Sequence, residues 1–161
     1  QFESGDCVDE LAKLIKKYQV QPEYIELEIT ESHLMMDVED AIRQLHAMKG
    51  LGINISIDDF GTGYSSLSYL KQFPVDTLKI DRSFIQDIPE DVSDAEITAA
   101  IIAMAKKLGL EVIAEGAETQ QQIDFLQANG CYFVQGYFYS KPLPAEEAKT
   151  WTFSSGCQAG Q

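Results

Sequence analysis

Two adjacent carboxylates, Asp58 and Asp59, end the run Ile-Asn-Ile-Ser-Ile that begins at Ile53, and Gly61 and Gly63 follow them within five residues. Neighbouring anions repel by about 1 kcal/mol at ~4 Å in water and by about 4 kcal/mol near a protein surface, and a bound cation reverses that sign. Glu28, Lys79, Glu115 and Gln135 each fall near the end of another short apolar-alternating run. Carboxylate oxygens with one amide suit a hard cation such as Mg²⁺ or Mn²⁺ and not zinc. The chain has only two histidines, and His33 and His46 read as loop and helix-surface residues, so no histidine-based centre is expected. Two hard cations about 3.5 to 4 Å apart would clamp a phosphodiester and activate water for in-line attack. Lys79 would then stabilise the developing charge or orient the water.

Each of these residues also has a plainer explanation. Acids on a strand face are solvated, Asp is favoured in turns, a lysine is usually a surface residue, and a glutamate at a helix start is favoured by the helix dipole. Recurrence decides between the two, because five successive strand ends carry a charged or ligand-type residue.

The elements that must position them follow from periodicity. Val8, Leu11, Leu14, Ile15 and Tyr18 predict a helix near 9–18, and Tyr24 to Glu31 alternates as a strand. A helix capped by Asp37 and closed by Gly50 leads to the strand Ile53 to Asp58. A short helix is expected over 64–73, then a strand over 77–81. Ser93 to Glu96 reads as a capping box for a helix with a stripe of Ile97, Ile101, Met104 and Leu108. The strand 111–115, a second capping box at Thr119 to Gln122 with its helix, a last strand over 131–137 and a closing helix from Ala145 to about Phe153 complete the order. Strands alternating with helices at crossover spacing imply an α/β fold with about five parallel strands. Polar residues at strand C-terminal ends are placed as on the active face of a TIM-like (β/α)8 barrel. Such a barrel needs eight units and about 250 residues, so the expectation is a partial one lacking its first three units, with residues 1–153 as the domain and 154–161 as a disordered tail.

The 161 residues carry 12 Lys and Arg against 26 Asp and Glu, a formal net charge of −14. That balance argues against a nucleic-acid polymer or an anionic membrane surface as partner, and it makes a cation necessary for any phosphate substrate. Cys7, Cys131 and Cys157 are odd in number and far apart, which indicates neither a disulfide framework nor a zinc site and fits a reducing, cytoplasmic setting. Neither an apolar run of membrane-spanning length nor a signal peptide is read in these residues. A membrane anchor elsewhere in a longer parent stays open, since the chain starts at Gln1 without Met.

The stretches ELEITES ending at Ser32, DDFGTGYSSL (58–67), LKIDRSFI (78–85), VIAEGAET (112–119) and VQGYFYSKP (134–142) together resemble the EAL-domain family of cyclic di-GMP phosphodiesterases, in order and in spacing. The resemblance implies a modified βα-barrel, hydrolysis of cyclic di-GMP to pGpG, and two Mg²⁺ or Mn²⁺ ions. It makes Glu28, Asp58 and Asp59 metal ligands, with Asp58 placed to bridge two ions. By the same resemblance Lys79 is the catalytic lysine beside the attacking water, Glu115 a general base or metal partner, and Glu31 the glutamate that steadies the DDFGTG loop. Glu118 and Gln135 match supporting positions of the site. Ala117 stands where the family usually has valine, a mild change at a packing position.

The Glu-Ala-Leu signature, the arginine after it and a metal-binding asparagine would lie before Gln1, since Gln1-Phe2 resembles the pair that follows that asparagine. The expectation is therefore that this chain alone is impaired or inactive and prone to self-association, while its parent is the enzyme. A catalytically inactive cyclic di-GMP receptor or interaction module is the alternative, and a Mg²⁺-assisted enolate chemistry with Lys79 as base is the weakest reading. The resemblance also suggests a homodimer through the loop and helix after Asp59, over 60–68, and a sensory or cyclase domain in the parent.

Overall fold

The structure is a computed structural model that describes residues 7–63 and 67–150. Its elements run α1 (Cys7–Tyr18), β1 (Glu26–Thr30), α2 (Glu31–Leu34), α3 (Val38–Lys49), β2 (Asn54–Phe60), α4 (Leu67–Leu70), β3 (Thr77–Ile80), α5 (Val92–Leu108), β4 (Glu111–Glu115), α6 (Gln120–Ala128), β5 (Phe133–Gln135) and α7 (Ala145–Ala148). The fold is α/β, with a five-stranded sheet in the order β1-β2-β3-β4-β5 in which β1 pairs parallel to β2 and β4 parallel to β5. The chain divides into two compact units, Gln1–Lys79 with Leu108–Glu111, and Ile80–Lys107 with Val112–Gln161.

In the first unit the alternation of Ile53, Ile55 and Ile57 packs as expected, all three fully buried beside Leu45 and Met48 of α3 and Leu34 of α2. Asp37 caps α3 by accepting from the Asp40 N–H at 3.0 Å. Asp76, just before β3, ties the starts of two strands together. Its carboxylate accepts from the Ile55 N–H and from both approaches of Lys49 Nζ, all at 2.8 Å, while its own N–H donates to the Ile55 carbonyl at 2.9 Å. The apolar stripe foreseen on α1 does not bury there, for no residue of that helix is buried.

Two boundaries in this unit differ from the sequence reading. Glu31 was expected at the end of a strand, whereas the strand stops at Thr30 and Glu31 opens α2, which also takes His33 out of a loop and into a helix. The strand expected over Ile53 to Asp58 runs from Asn54 through both Asp58 and Asp59 to Phe60. The helix expected over 64–73 is represented by α4 alone, with 64–66 outside the described residues.

In the second unit, Ile80, Ile85, Ile88, Ile102 and Leu126 are fully buried. The helix α5 starts earlier than Ser93, because the Asp91 carboxylate accepts from the Ser93 and Asp94 N–H groups and so takes the capping role. Its buried face is Thr98, Ile101, Ile102 and Ala105, with Ile97 and Leu108 exposed. The helix is apolar nearly all round, so periodicity alone left its rotation undetermined. The Thr119 to Gln122 capping box forms in both directions. The last strand is three residues, shorter than the 131–137 expected. The foreseen tail, with Cys157, lies outside the described residues, and Cys7 and Cys131 are free thiols. Among the described residues no helix is long and apolar enough to cross a membrane.

Candidate active site

Parallel register places Glu28 opposite Ser56 and Thr30 opposite Asp58. Side chains alternate along a strand, so Glu28 and Asp58 project from the same face of the β1–β2 pair, one step of the pleat apart. Lys79 in β3 meets them there. Its Nζ donates to Glu28 Oε1 at 2.8 Å and stands 3.3 Å from Asp58 Oδ1. Lys79 is 4% exposed, which removes the surface-lysine explanation. An ammonium group is retained at such a depth only when counter-charges meet it.

Asp58 Oδ1 is itself buried and receives no hydrogen bond, so its approach to Lys79 is an ion contact and lone-pair capacity is left over. Asp59 follows with φ 53°, in the left-handed region, which breaks the strand's alternation at the second acid. Among the described residues no three His, Cys, Asp or Glu side chains converge as a metal cage. The structure gathers Glu28 and Asp58 around Lys79 and does not add Asp59 to a three-acid cluster. The donors themselves fit a hard divalent cation, being carboxylate oxygens with one buried acceptor that no donor satisfies.

Glu31 belongs to the same unit and acts on the loop. It is 2% exposed, and its Oε2 accepts from the Gly61 N–H at 2.7 Å and the Gly63 N–H at 3.4 Å. Thr62 closes the turn by donating its N–H and its hydroxyl to the Asp59 carbonyl, at 3.3 and 2.8 Å. The chain leaving Asp59 is thus bound back to the first turn of α2, and Gly61, at φ 101°, supplies the conformation the turn requires.

The second unit holds a cavity of about 480 Å³ whose walls include Arg82, Glu115, Glu118, Gln135, Tyr137 and Lys141. Glu115 and Gln135 are register partners and the last residues of β4 and β5. The Gly116 N–H donates to the Gln135 carbonyl at 2.7 Å, which holds the two strand ends together. Arg82 Nη2 donates to Glu118 Oε1 at 2.9 Å, and Lys141 Nζ lies 5.6 Å from the centre of the Tyr137 ring. Glu115, Glu118 and Gln135 are therefore brought to one wall set, Glu115 and Gln135 from strand ends and Glu118 from the turn before α6. Arg82, Tyr137 and Lys141 were not singled out. Arg82 lies in the LKIDRSFI stretch three residues after Lys79, and Tyr137 and Lys141 lie in the VQGYFYSKP stretch beside Gln135, so the sequence placed all three in its motifs without marking them as site residues.

The EAL domain family model matches residues 1–142 of the chain. The cyclic di-GMP phosphodiesterase NbdA of Pseudomonas aeruginosa is 53% identical over 140 residues, which are 87% of this chain and 18% of that protein. A solved cyclic di-GMP complex of the phosphodiesterase PaMucR superposes with TM-score 0.88 at 42% identity, over 91% of this chain and 60% of that one. A manganese and cyclic di-GMP complex of Klebsiella pneumoniae BlrP1 does so with TM-score 0.80 at 31% identity, over 88% of this chain and 36% of that one. The chain thus spans less than two thirds of each of these proteins.

Proposed function

The chain belongs to the EAL domain family, and from that premise we propose that it carries the catalytic face of a phosphodiesterase that hydrolyses cyclic di-GMP to linear pGpG. The observation that carries this reading is the buried Lys79 ammonium between Glu28 and Asp58. A lysine held by two strand-end carboxylates is costly to bury, and a structural core would be served as well by an apolar side chain. A solved relative in complex with manganese and cyclic di-GMP supports the same reading.

Glu28, Asp58 and Asp59 would hold two divalent cations, Mg²⁺ or Mn²⁺. Bound there, the ions would supply Lewis-acid polarisation of the phosphodiester and lower the pKa of water. The protein's own groups do the rest. Lys79 carries a fixed positive charge toward the site and can orient a water by donating to it. Glu31 holds the Gly61 to Gly63 backbone so that the acids keep one arrangement. Glu115 can take a proton, while Gln135 and Glu118 contact the substrate or the groups around it. With a net charge of −14 the protein repels a bare phosphate, which is why the cations are needed for binding as well as for chemistry.

Pairing of two copies through 60–68 and a sensory or cyclase domain in the same polypeptide belong to this proposal, the first being read by light scattering. Incubating the purified full-length protein that contains this chain with cyclic di-GMP and Mg²⁺ or Mn²⁺, with chromatographic detection of pGpG, tests the central statement. Metal-dependent appearance of pGpG is expected. Saturable binding of cyclic di-GMP without turnover in either metal would overturn it in favour of a receptor.

A further inference from the structure

The turn that follows β4 has its backbone fixed at four consecutive residues, and the last two are fixed by a single side chain. Gly116 is held through its N–H on the Gln135 carbonyl, and the Ala117 carbonyl accepts from the Phe138 N–H at 3.0 Å. The Glu118 and Thr119 N–H groups both donate to Oε1 of Gln122, at 2.6 and 2.9 Å. Gln122 is 4% exposed, and its amide donates in turn to the Gln86 carbonyl at 2.9 Å. Of the bonds made by the Gln122 side chain, a capping box requires only the one from the Thr119 N–H. The bonds to Glu118 and Gln86 exceed what capping α6 needs.

Those extra bonds reach the cavity wall. Glu118 accepts the guanidinium of Arg82, and Arg82 and Gln86 belong to the same short segment after β3. The Arg82 stem lies directly over Gly116, where a Cβ would collide with its Cβ, Cγ and Cδ. Gln122 therefore spans the two backbone segments that carry the two partners of the Arg82–Glu118 pair, joined to one through the Glu118 N–H and to the other through the Gln86 carbonyl.

We propose that Gln122 is a positioning residue for the substrate cavity, setting the Arg82–Glu118 pair in its wall by holding both supporting backbones at a fixed separation. This rests on the phosphodiesterase reading above for its kinetic consequence, though not for its geometry. Gln122→Glu separates the roles. A glutamate still accepts from the Glu118 and Thr119 N–H groups and still completes the capping box, but it has no amide with which to hold the Gln86 carbonyl.

The test compares wild type, Gln122→Glu and Gln122→Leu by steady-state kinetics on cyclic di-GMP, thermal unfolding and amide hydrogen exchange. For Gln122→Glu the expected result is α6 protection like wild type, a thermal midpoint lowered by no more than the loss of one buried hydrogen bond, faster exchange across 82–86, and KM raised about ten-fold with kcat within about three-fold. In Gln122→Leu, exchange at Glu118 and Thr119 should also rise, with KM at least as high. KM unchanged in Gln122→Glu, or kcat and thermal stability lost together with KM unmoved, would overturn the proposal and leave Gln122 as a helix cap. The exchange measurements need no substrate. If wild type fails to turn over cyclic di-GMP, the functional reading falls, while exchange across 82–86 still decides whether Gln122 fixes that segment.

Discussion

A Cβ added to Gly63 would stand 2.8 Å from Oε1 of Glu31, closer than a carbon and a carboxylate oxygen can approach. The carboxylate has little freedom to retreat, since it is buried in the first turn of α2 and already accepts from Gly61. Gly63 is thus required by Glu31, and the loop after Asp59 closes on this contact.

Replacing either partner should loosen the loop without unfolding the protein. Glu31→Ala leaves two half-buried N–H groups without their acceptor, at a cost of at most about 1–3 kcal/mol each and less where water reaches them. Gly63→Ala should lower turnover as Glu31→Ala does, and the double variant should lose less than the sum because both act on one contact. Urea titration and pGpG formation, measured on all three, check this. Full additivity would mean the two residues act separately.

Lys79→Met replaces the buried ammonium with an apolar side chain of similar length and leaves Glu28 and Asp58 facing each other without a counter-charge. Turnover should fall by about 10²–10³-fold, the scale of removing one fixed electrostatic donor. Affinity for Mn²⁺ should move the other way, since a competing positive charge beside two carboxylates has been removed. Calorimetric titration of Mn²⁺ into wild type and variant reads the sign. Weaker binding in the variant would mean the cation site does not include these acids.

Asp58→Asn tests the buried acceptor itself. Ligand binding stabilises a fold by about 2.7 kcal/mol at a hundred times Kd, so Mn²⁺ should raise the thermal midpoint of wild type and raise that of Asp58→Asn much less. Excess chelator should abolish both the shift and turnover. An undiminished shift in the variant would place the ion elsewhere.

The parts of this arrangement that were legible in the sequence are those set by neighbours in the chain. Asp37 and the Thr119–Gln122 box are local hydrogen-bond patterns, and the Ile53, Ile55, Ile57 alternation specifies one buried face. Lys79 was legible only as a member of a recurrence, because four residues of strand cannot reveal that both faces of β3 are buried. Glu31 reads as a strand residue because it closes the run Tyr24 to Glu31, although the apolar alternation stops at Ile29; in the structure it opens α2, with its carboxylate bonded to Gly61, thirty residues on. The bonds that make Arg82 and Gln122 matter join residues 36 positions apart. Pairing at that range leaves no periodic trace.

Cys131 offers a probe of the second unit. It is 1% exposed, and burial pushes its thiol above the ordinary thiol range, so at pH 7 to 9 it carries less thiolate than an exposed cysteine would. Alkylation at pH 8 should therefore modify Cys7 before Cys131, which is reached only after denaturant is added. Peptide mapping by mass spectrometry distinguishes the two sites. Rapid labelling of Cys131 in native protein would show that the unit opens locally at little cost.

Asp76 makes the last case, because it lies far from the chemistry along the strands and yet sets where the strands start. Its carboxylate is the acceptor for the Ile55 N–H and the counter-ion of Lys49, and from those anchors β2 runs three residues on to Asp58 and β3 runs three residues on to Lys79. Removing it in Asp76→Ala should cost about 1–3 kcal/mol of stability for the unsatisfied N–H and ammonium groups, with the ion-pair share small because both side chains are about one-third exposed. Asp76→Asn keeps one acceptor oxygen and should cost roughly half as much. If the shared anchor also holds Asp58 against Lys79, kcat should fall in Asp76→Ala under conditions where it remains folded, and fall less in Asp76→Asn. Equal kcat in all three proteins, with stability alone altered, would show that the strand ends keep their spacing without this tie.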